Sequence, residues 1–280
     1  SPLSVSMPSY RCCARLIVSG EVNPSLLDAS CCMELVVNGA GAAGISCSRF
    51  YITAGAKREN FILCDSKGVI RKGRTDLTPE KAEFAVETEA RTLADAIKGA
   101  DIFLGFSAPN CVTAEMVKTM APGPVIFAMA NPVPEIFPDV ALAAGAAVVG
   151  TGRSDFPNQI NNVLGFPGIF RGALDVRAKD INEAMKLAAS QALAELAAEP
   201  VPAGVKKVLA EAYPADAAAG MFDSKGGVNV NCVIPKPFDP RVVPRVARRV
   251  AEAAMKSGVA QLDIGDLDAY EKSVAERLGK

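Results

Sequence analysis

Six residues between 39 and 44 carry the clearest chemical signal in this chain. The apolar run Leu35-Val36-Val37-Asn38 meets Gly39-Ala40-Gly41-Ala42-Ala43-Gly44, a G-x-G-x-x-G followed by a helix-forming stretch. That order of strand, turn and helix is what a dinucleotide pyrophosphate requires. Gly39 turns the chain off the strand, Gly41 lets backbone approach the anion, and Gly44 lets the new helix lie close to the sheet. The helix start then offers unpaired N–H groups to the phosphates. Two later positions fit the same ligand. Asp65 ends the next apolar run, 24 residues beyond Gly41, close to the spacing of about 20 for a carboxylate that accepts ribose hydroxyls. Ser107 lies in Phe106-Ser107-Ala108-Pro109, a small-residue loop after a third apolar run that could line a cofactor. The competing interpretation is a structural glycine turn in another α/β domain.

Amide side chains make up a second group. Asn131 follows the apolar run 125–128 and opens Asn131-Pro132-Val133-Pro134-Glu135. Ligands of open α/β sheets lie beyond the carboxyl ends of the strands, where Asn131 would reach nicotinamide or substrate. Alternatively Asn131 bonds its own backbone in a proline-rich turn. The run 151–162 carries Arg153, Asp155, Asn158, Asn161 and Asn162 between a strand and an apolar helix. Asn161 and Asn162 sit near that helix's start, suited to holding a carboxylate, although capping accounts for one of them.

The chain contains no histidine. Serine–histidine triads, cysteine–histidine pairs and histidine metal sites are therefore excluded, and any acid or base must be Lys, Tyr, Asp, Glu or Cys. Of the eight cysteines, none forms a C-x-x-C pair. Cys47, Cys64 and Cys111 lie in apolar surroundings and read as small core residues. A net charge of −1 gives no electrostatic case for nucleic acid or an anionic membrane. The longest nearly uncharged apolar stretch, 140–150, is far shorter than the ~20 residues of a membrane helix. With no signal peptide visible, the expected location is the cytoplasm.

Elements that would position these groups follow from patterning. Strands are expected at 35–38, 61–64, 102–104, 125–128 and 147–150, with helices at 42–53, 93–98 and 113–120 between them. Thr92 and Thr113 are suited to cap the last two helices. Alternation of this kind predicts an α/β fold, a doubly wound and mostly parallel Rossmann-type sheet. Additional helices are expected at 161–171, 181–198, 204–213, 240–256 and 266–278, with 214–232 as a loop. In 240–256, Val242, Val243, Val246, Val250 and Ala254 form a core stripe, and Arg245, Arg248 and Arg249 read as a solvated face. Residues 1–33, with two Cys-Cys pairs and no clear period, are expected to be a poorly ordered extension or a fragment boundary.

Taken together, VVNGAGAAG (36–44), CDSKGVIRKGR (64–74), RTLADAIKGADIFLGFSA (91–108), FAMANPVPEI (127–136), the run 151–178 and IPKPFDPRV (234–242) resemble the malic enzymes. The resemblance is strongest to the bacterial type sometimes fused to a phosphotransacetylase-like domain, and covers about residues 34–260. A C-terminal helix then occupies 261–280. The resemblance implies oxidative decarboxylation of L-malate to pyruvate and CO₂ with NAD or NADP and a divalent metal, Mg or Mn. It also implies that Gly41, Ala42, Ala43 and Gly44 meet the cofactor phosphates, that Asn131 and Asn162 contact cofactor or substrate, and that Asn161 lies on the substrate side. The family's catalytic tyrosine, lysine and carboxylate metal ligands lie upstream of the matching strand. No acid, base or metal ligand is therefore carried over to this chain. The expectation is a cofactor-binding domain without the catalytic half, and the alternative is a non-catalytic dinucleotide-binding module. A different hydroxy-acid or amino-acid dehydrogenase is disfavoured by the run 153–162. Asp65 favours NAD by repelling a 2′-phosphate, whereas Lys67, Arg71, Lys72 and Arg74 could accommodate NADP. A domain that normally meets a partner exposes apolar surface, so homo-oligomerisation is expected.

Overall fold

A computed structural model describes residues 33–223, 226 and 229–279. Expectations for the first 32 residues lie outside that range. Contacts divide the described chain at 160/161 into two units, inside the span read from sequence as one domain.

The first unit is a six-stranded sheet. Its strands are β1 (Leu35–Asn38), β2 (Phe61–Asp65), β3 (Gly68–Val69), β4 (Ile102–Gly105), β5 (Val125–Ala128) and β6 (Val148–Thr151). They lie in the order β3-β2-β1-β4-β5-β6. Every pairing is parallel except β2 with β3. Continuous apolar runs such as Leu35-Val36-Val37 suit this arrangement, because strands of a parallel sheet are buried on both faces. On one face Val36, Phe103, Ile126 and Val149 meet Ile97, Val117 and Ala141. These come from or adjoin α3 (Leu93–Ala96), α4 (Ala114–Lys118) and α5 (Pro138–Ala143), which follow α1 (Ala42–Thr53) and α2 (Pro79–Ala82). On the other face Val37 approaches the start of α1 at Gly44. The chain leaves β1 for β2 on one side and returns to β4 on the other, so the switch point of the sheet lies at the carboxyl end of β1.

Thr92 and Thr113 cap α3 and α4, Thr92 within a capping box shared with Asp95. Both helices are shorter than their patterns predicted. Strand β3 and helices α2 and α5 were not anticipated. The first is only two residues long, and the other two begin at prolines that read as loop punctuation but suit a first helical turn.

The second unit is helical. After a 3-10 turn at Asn162–Leu164 come α6 (Phe166–Asp175), α7 (Glu183–Ala198), α8 (Ala203–Ala212), α9 (Pro214–Ala218), α10 (Val242–Lys256) and α11 (Leu267–Leu278). Val242, Val246, Val250 and Ala254 of α10 are fully buried with Met185, Ala189 and Leu196 of α7. Helix α9 corrects the expectation of a loop across 214–232: Pro214 at its first turn again supplies a start. The arginines of α10 are also not a simple solvated face. Arg245 bonds Glu199 at 2.8 Å and Glu271 at 2.9 Å, Arg248 bonds Asp268 at 2.8 Å, and Arg249 pairs with Glu195. Helices α7 and α11 flank α10 and bring carboxylates to its polar side. Among the described residues no helix is long and apolar enough to cross a membrane.

Candidate dinucleotide site

Beyond the end of β1 the chain turns through Gly39, whose φ of 111° is a left-handed conformation that side-chain-bearing residues rarely adopt. A Cβ there would stand 2.3 Å from the Phe106 carbonyl oxygen, so the β1 and β4 loops touch only because position 39 is glycine. The Gly39 and Ala40 N–H groups both donate to the Cys64 carbonyl, at 2.9 and 3.1 Å. The first backbone bond of α1 runs from Ile45 N–H to the Gly41 carbonyl at 3.0 Å, and no side chain caps Gly41. Gly41, Ala42 and Ala43 are exposed, with no atom within 4 Å of where a Gly41 Cβ would lie. Gly44 is buried, and its Cβ would come 2.1 Å from the Gly39 carbonyl oxygen. The result is an open row of amides at the positive end of a 12-residue helix, the arrangement that holds a phosphate.

Asp65, at the end of β2, has other partners than a free ribose acceptor would. Arg74 donates to its two oxygens at 2.9 and 3.1 Å, Lys81 donates at 2.8 Å, and the Lys67 N–H at 3.0 Å. The Asp65 side chain is only 9% exposed. Burial alone would raise its pKa, but these bonds outweigh burial and hold it down to about 2. The basic run after β2 is likewise engaged. Arg74 also bonds Asp76 at 2.9 Å, Lys67 pairs with Asp76 at 2.9 Å, and Lys72 pairs with Glu87 at 3.5 Å. Lys81, unnoticed in the sequence, joins because α2 folds back toward the β2–β3 hairpin.

On the β4 side, Ser107 accepts a 2.7 Å hydrogen bond from Asn38 Nδ2, and the same amide reaches Cys111 Sγ at 3.3 Å. Behind Ser107 stands Glu135, a side chain with no exposed surface. Its Oε1 accepts the Ser107 N–H at 2.9 Å, and its Oε2 accepts the Ala130 N–H at 3.0 Å. Sequence reasoning missed Glu135. The only available signal was an acidic residue between Pro134 and Ile136, where an exposed turn would not place a fully buried group. Asn131, in the same loop, is exposed. That loop is also held by Arg153, whose Nη1 donates to the Pro132 carbonyl at 3.3 Å while its Nε donates to Asp155 at 2.8 Å. The guanidinium lies 5.4 Å from the Phe156 ring centroid.

The remaining asparagines have separate places. Asn158 is buried and donates to the Val149 carbonyl at 3.1 Å. In the second unit, Asn161 Oδ1 accepts the Val163 N–H at 3.0 Å as the cap of the 3-10 turn, and Asn162 is exposed. Of the three core cysteines expected from sequence, only Cys64 is buried, and burial pushes its thiol up to about 12. Cys47 and Cys111 are partly exposed. Among the described residues no three His, Cys, Asp or Glu side chains converge as a metal site.

Comparison with known proteins gives a consistent picture. The family model described as malic enzyme, NAD binding domain, matches residues 29–210. An NADP-dependent malic enzyme of Rhizobium meliloti is 52% identical over 246 residues, covering 87% of this chain and 31% of that protein. An NAD-dependent malic enzyme of the same organism is 48% identical over 240 residues, covering 85% of this chain and 30% of that protein. The crystal structure of Entamoeba histolytica malic enzyme superposes with a TM-score of 0.74 at 35% identity, covering 95% of this chain and 52% of that one. The chain thus spans about a third of the length of these two curated relatives.

Proposed function

The chain belongs to the malic enzyme family, and from that premise we propose that it is the NADP-binding part of an enzyme that oxidatively decarboxylates L-malate to pyruvate and CO₂. The observation that carries this is the open row of Gly41, Ala42 and Ala43 amides at the switch point of the sheet. Those amides hold the pyrophosphate. The nicotinamide, when bound, supplies the hydride acceptor for C2 of malate. Ser107 and Asn131 orient that half of the cofactor, and Asn131 also reaches a carboxylate of the substrate. A divalent cation finds no converging ligand set among the described residues, and the acid and base are assigned to none of them.

NADP is chosen over NAD because Asp65 does not act as a bare anion. Asp65 and Asp76 are tied to Arg74, Lys81 and Lys67, two carboxylates against three cations, leaving one net positive charge. The Lys67 side chain, paired with Asp76 at 2.9 Å, is 68% exposed, and a 2′-phosphate would compete with Asp76 for it. Asp65 here works by holding cations in place, so it does not repel that phosphate.

Calorimetric titration of the chain with NADP⁺ and NAD⁺ tests both points. Saturable binding is expected, about tenfold tighter for NADP⁺, and lost in Gly41→Asp, which sets a carboxylate against the phosphates. No binding by the folded chain would overturn the proposal, and tighter NAD⁺ binding would overturn the cofactor choice. Reduction of NADP⁺ on adding L-malate and Mn²⁺ tests catalysis separately from binding.

A further inference from the structure

We propose that Glu135 is a positioning residue for the nicotinamide half of the cofactor, tying two site loops into one rigid edge; this rests on the dinucleotide reading above. Glu135 has no exposed surface, and among the described residues no Lys or Arg pairs with it. A carboxylate in that position is costly unless hydrogen bonds replace its water. Here the replacements come from two loops that are 23 residues apart in sequence (Ser107 and Ala130). Oε1 takes the Ser107 N–H at 2.9 Å and lies 3.5 Å from the Ser107 hydroxyl, while Oε2 takes the Ala130 N–H at 3.0 Å. Backbone bonds fasten the same segments: Asn110 N–H to the Pro134 carbonyl and Val112 N–H to the Glu135 carbonyl, both 3.0 Å.

Room for the carboxylate comes from β4 itself. A Cβ on Gly105 would lie 2.4 to 2.7 Å from the carboxyl atoms of Glu135, so the last residue of β4 must lack one. Through the Ser107 hydroxyl the tie continues to Asn38 at the end of β1. Strand order decides what this edge serves. In a sheet of this kind the dinucleotide crosses the switch point, with its adenosine half over β1 and β2 and its other half over β4 and β5. Among the described residues the hydrogen bonds of Glu135 run to the loops after β4 and β5. It therefore aligns Ser107 and Asn131 against nicotinamide and leaves the adenosine half alone.

The test compares two ligands on the 280-residue chain, NADP⁺ and adenosine 2′,5′-bisphosphate, which lacks the nicotinamide half. Glu135→Gln keeps the shape but turns an amide NH₂ toward one of the two loop N–H groups. Its NADP⁺ dissociation constant is expected to rise about tenfold, with that of adenosine 2′,5′-bisphosphate unchanged. Gly105→Ala, which pushes the carboxylate from the opposite side, should show the same selectivity. Equal weakening of both ligands would mean a general structural role and would overturn the proposal, as would unchanged NADP⁺ binding. An unaltered chain that binds neither ligand removes the dinucleotide reading itself. Should both variants fail to fold, amide exchange in the unaltered chain decides: Ser107 and Ala130 are expected to be protected, and fast exchange at both overturns the tie.

Discussion

At Asp65, burial and hydrogen bonding pull in opposite directions, and hydrogen bonding wins. Burial would raise the pKa above its ordinary 3.8, yet the bonds from Arg74, Lys81 and the Lys67 N–H lower it to about 2. A carboxyl group depressed on folding adds stability that is complete above the unfolded pKa and is lost as the pH falls through the folded one. The window is therefore from about pH 4 down to about pH 2, and the contribution is on the order of 2 kcal/mol. Asp65→Asn should lose roughly that much at neutral pH in urea denaturation, with the difference from the unaltered chain closing toward pH 2. A loss of equal size at both pH values would mean that Asp65 acts through shape and not charge. The strand-end position of Asp65 was legible from its spacing to Gly41. Its side-chain partners were not, because they lie 9 and 16 residues further on and arrive only when β3 and α2 fold back.

Helix α10 shows the same division at the scale of an element. Its valine stripe was readable because 3.6-residue periodicity is a local property: Val242, Val246, Val250 and Ala254 are buried, whereas Val243 is only half-buried. What the stripe meets was not readable. Gly172 of α6 lies so close to α10 that a Cβ would stand 2.4 Å from the Ala247 carbonyl and 3.0 Å from Val250 Cβ. Backbone cannot yield as a flexible side chain can. Gly172→Val should therefore destabilise the chain by about 1–3 kcal/mol, seen as a fall in Tm of several degrees. An unchanged Tm would show that α6 and α10 separate easily. The arginines on the other side of α10 join carboxylates of α7 and α11, partners 20 to 54 residues away in the chain.

At the scale of the whole molecule, an apolar stripe on the described surface bears on self-association. Phe166, Phe170 and Leu174 of α6 are 54%, 52% and 65% exposed, at the i, i+4, i+8 spacing that lines one helix face. Residues of this size seldom lie together on the surface of a monomer, and a net charge of −1 supplies little repulsion between copies. Self-association is the expected result, visible as a molar mass that rises with concentration in light scattering. Replacing Phe170 and Leu174 together by Ser should lower it, and a monodisperse monomer for the unaltered chain would count against the idea.

The alternation of strand and helix, the glycine turn after β1, the threonine caps and the α10 stripe were all determined by the sequence alone. Each is set within about ten residues, by backbone freedom, capping or side-chain period. Tertiary structure decided the rest. Asn38, Ser107 and Glu135 meet across separations of 69 and 28 residues, and Asp65 spends its oxygens on cations. No local pattern encodes such meetings: they depend on strand order, which brings the ends of β1, β4 and β5 to one edge. A buried carboxylate or a neutralised one is recognisable only when its surroundings are known, because desolvation and hydrogen bonding act through space.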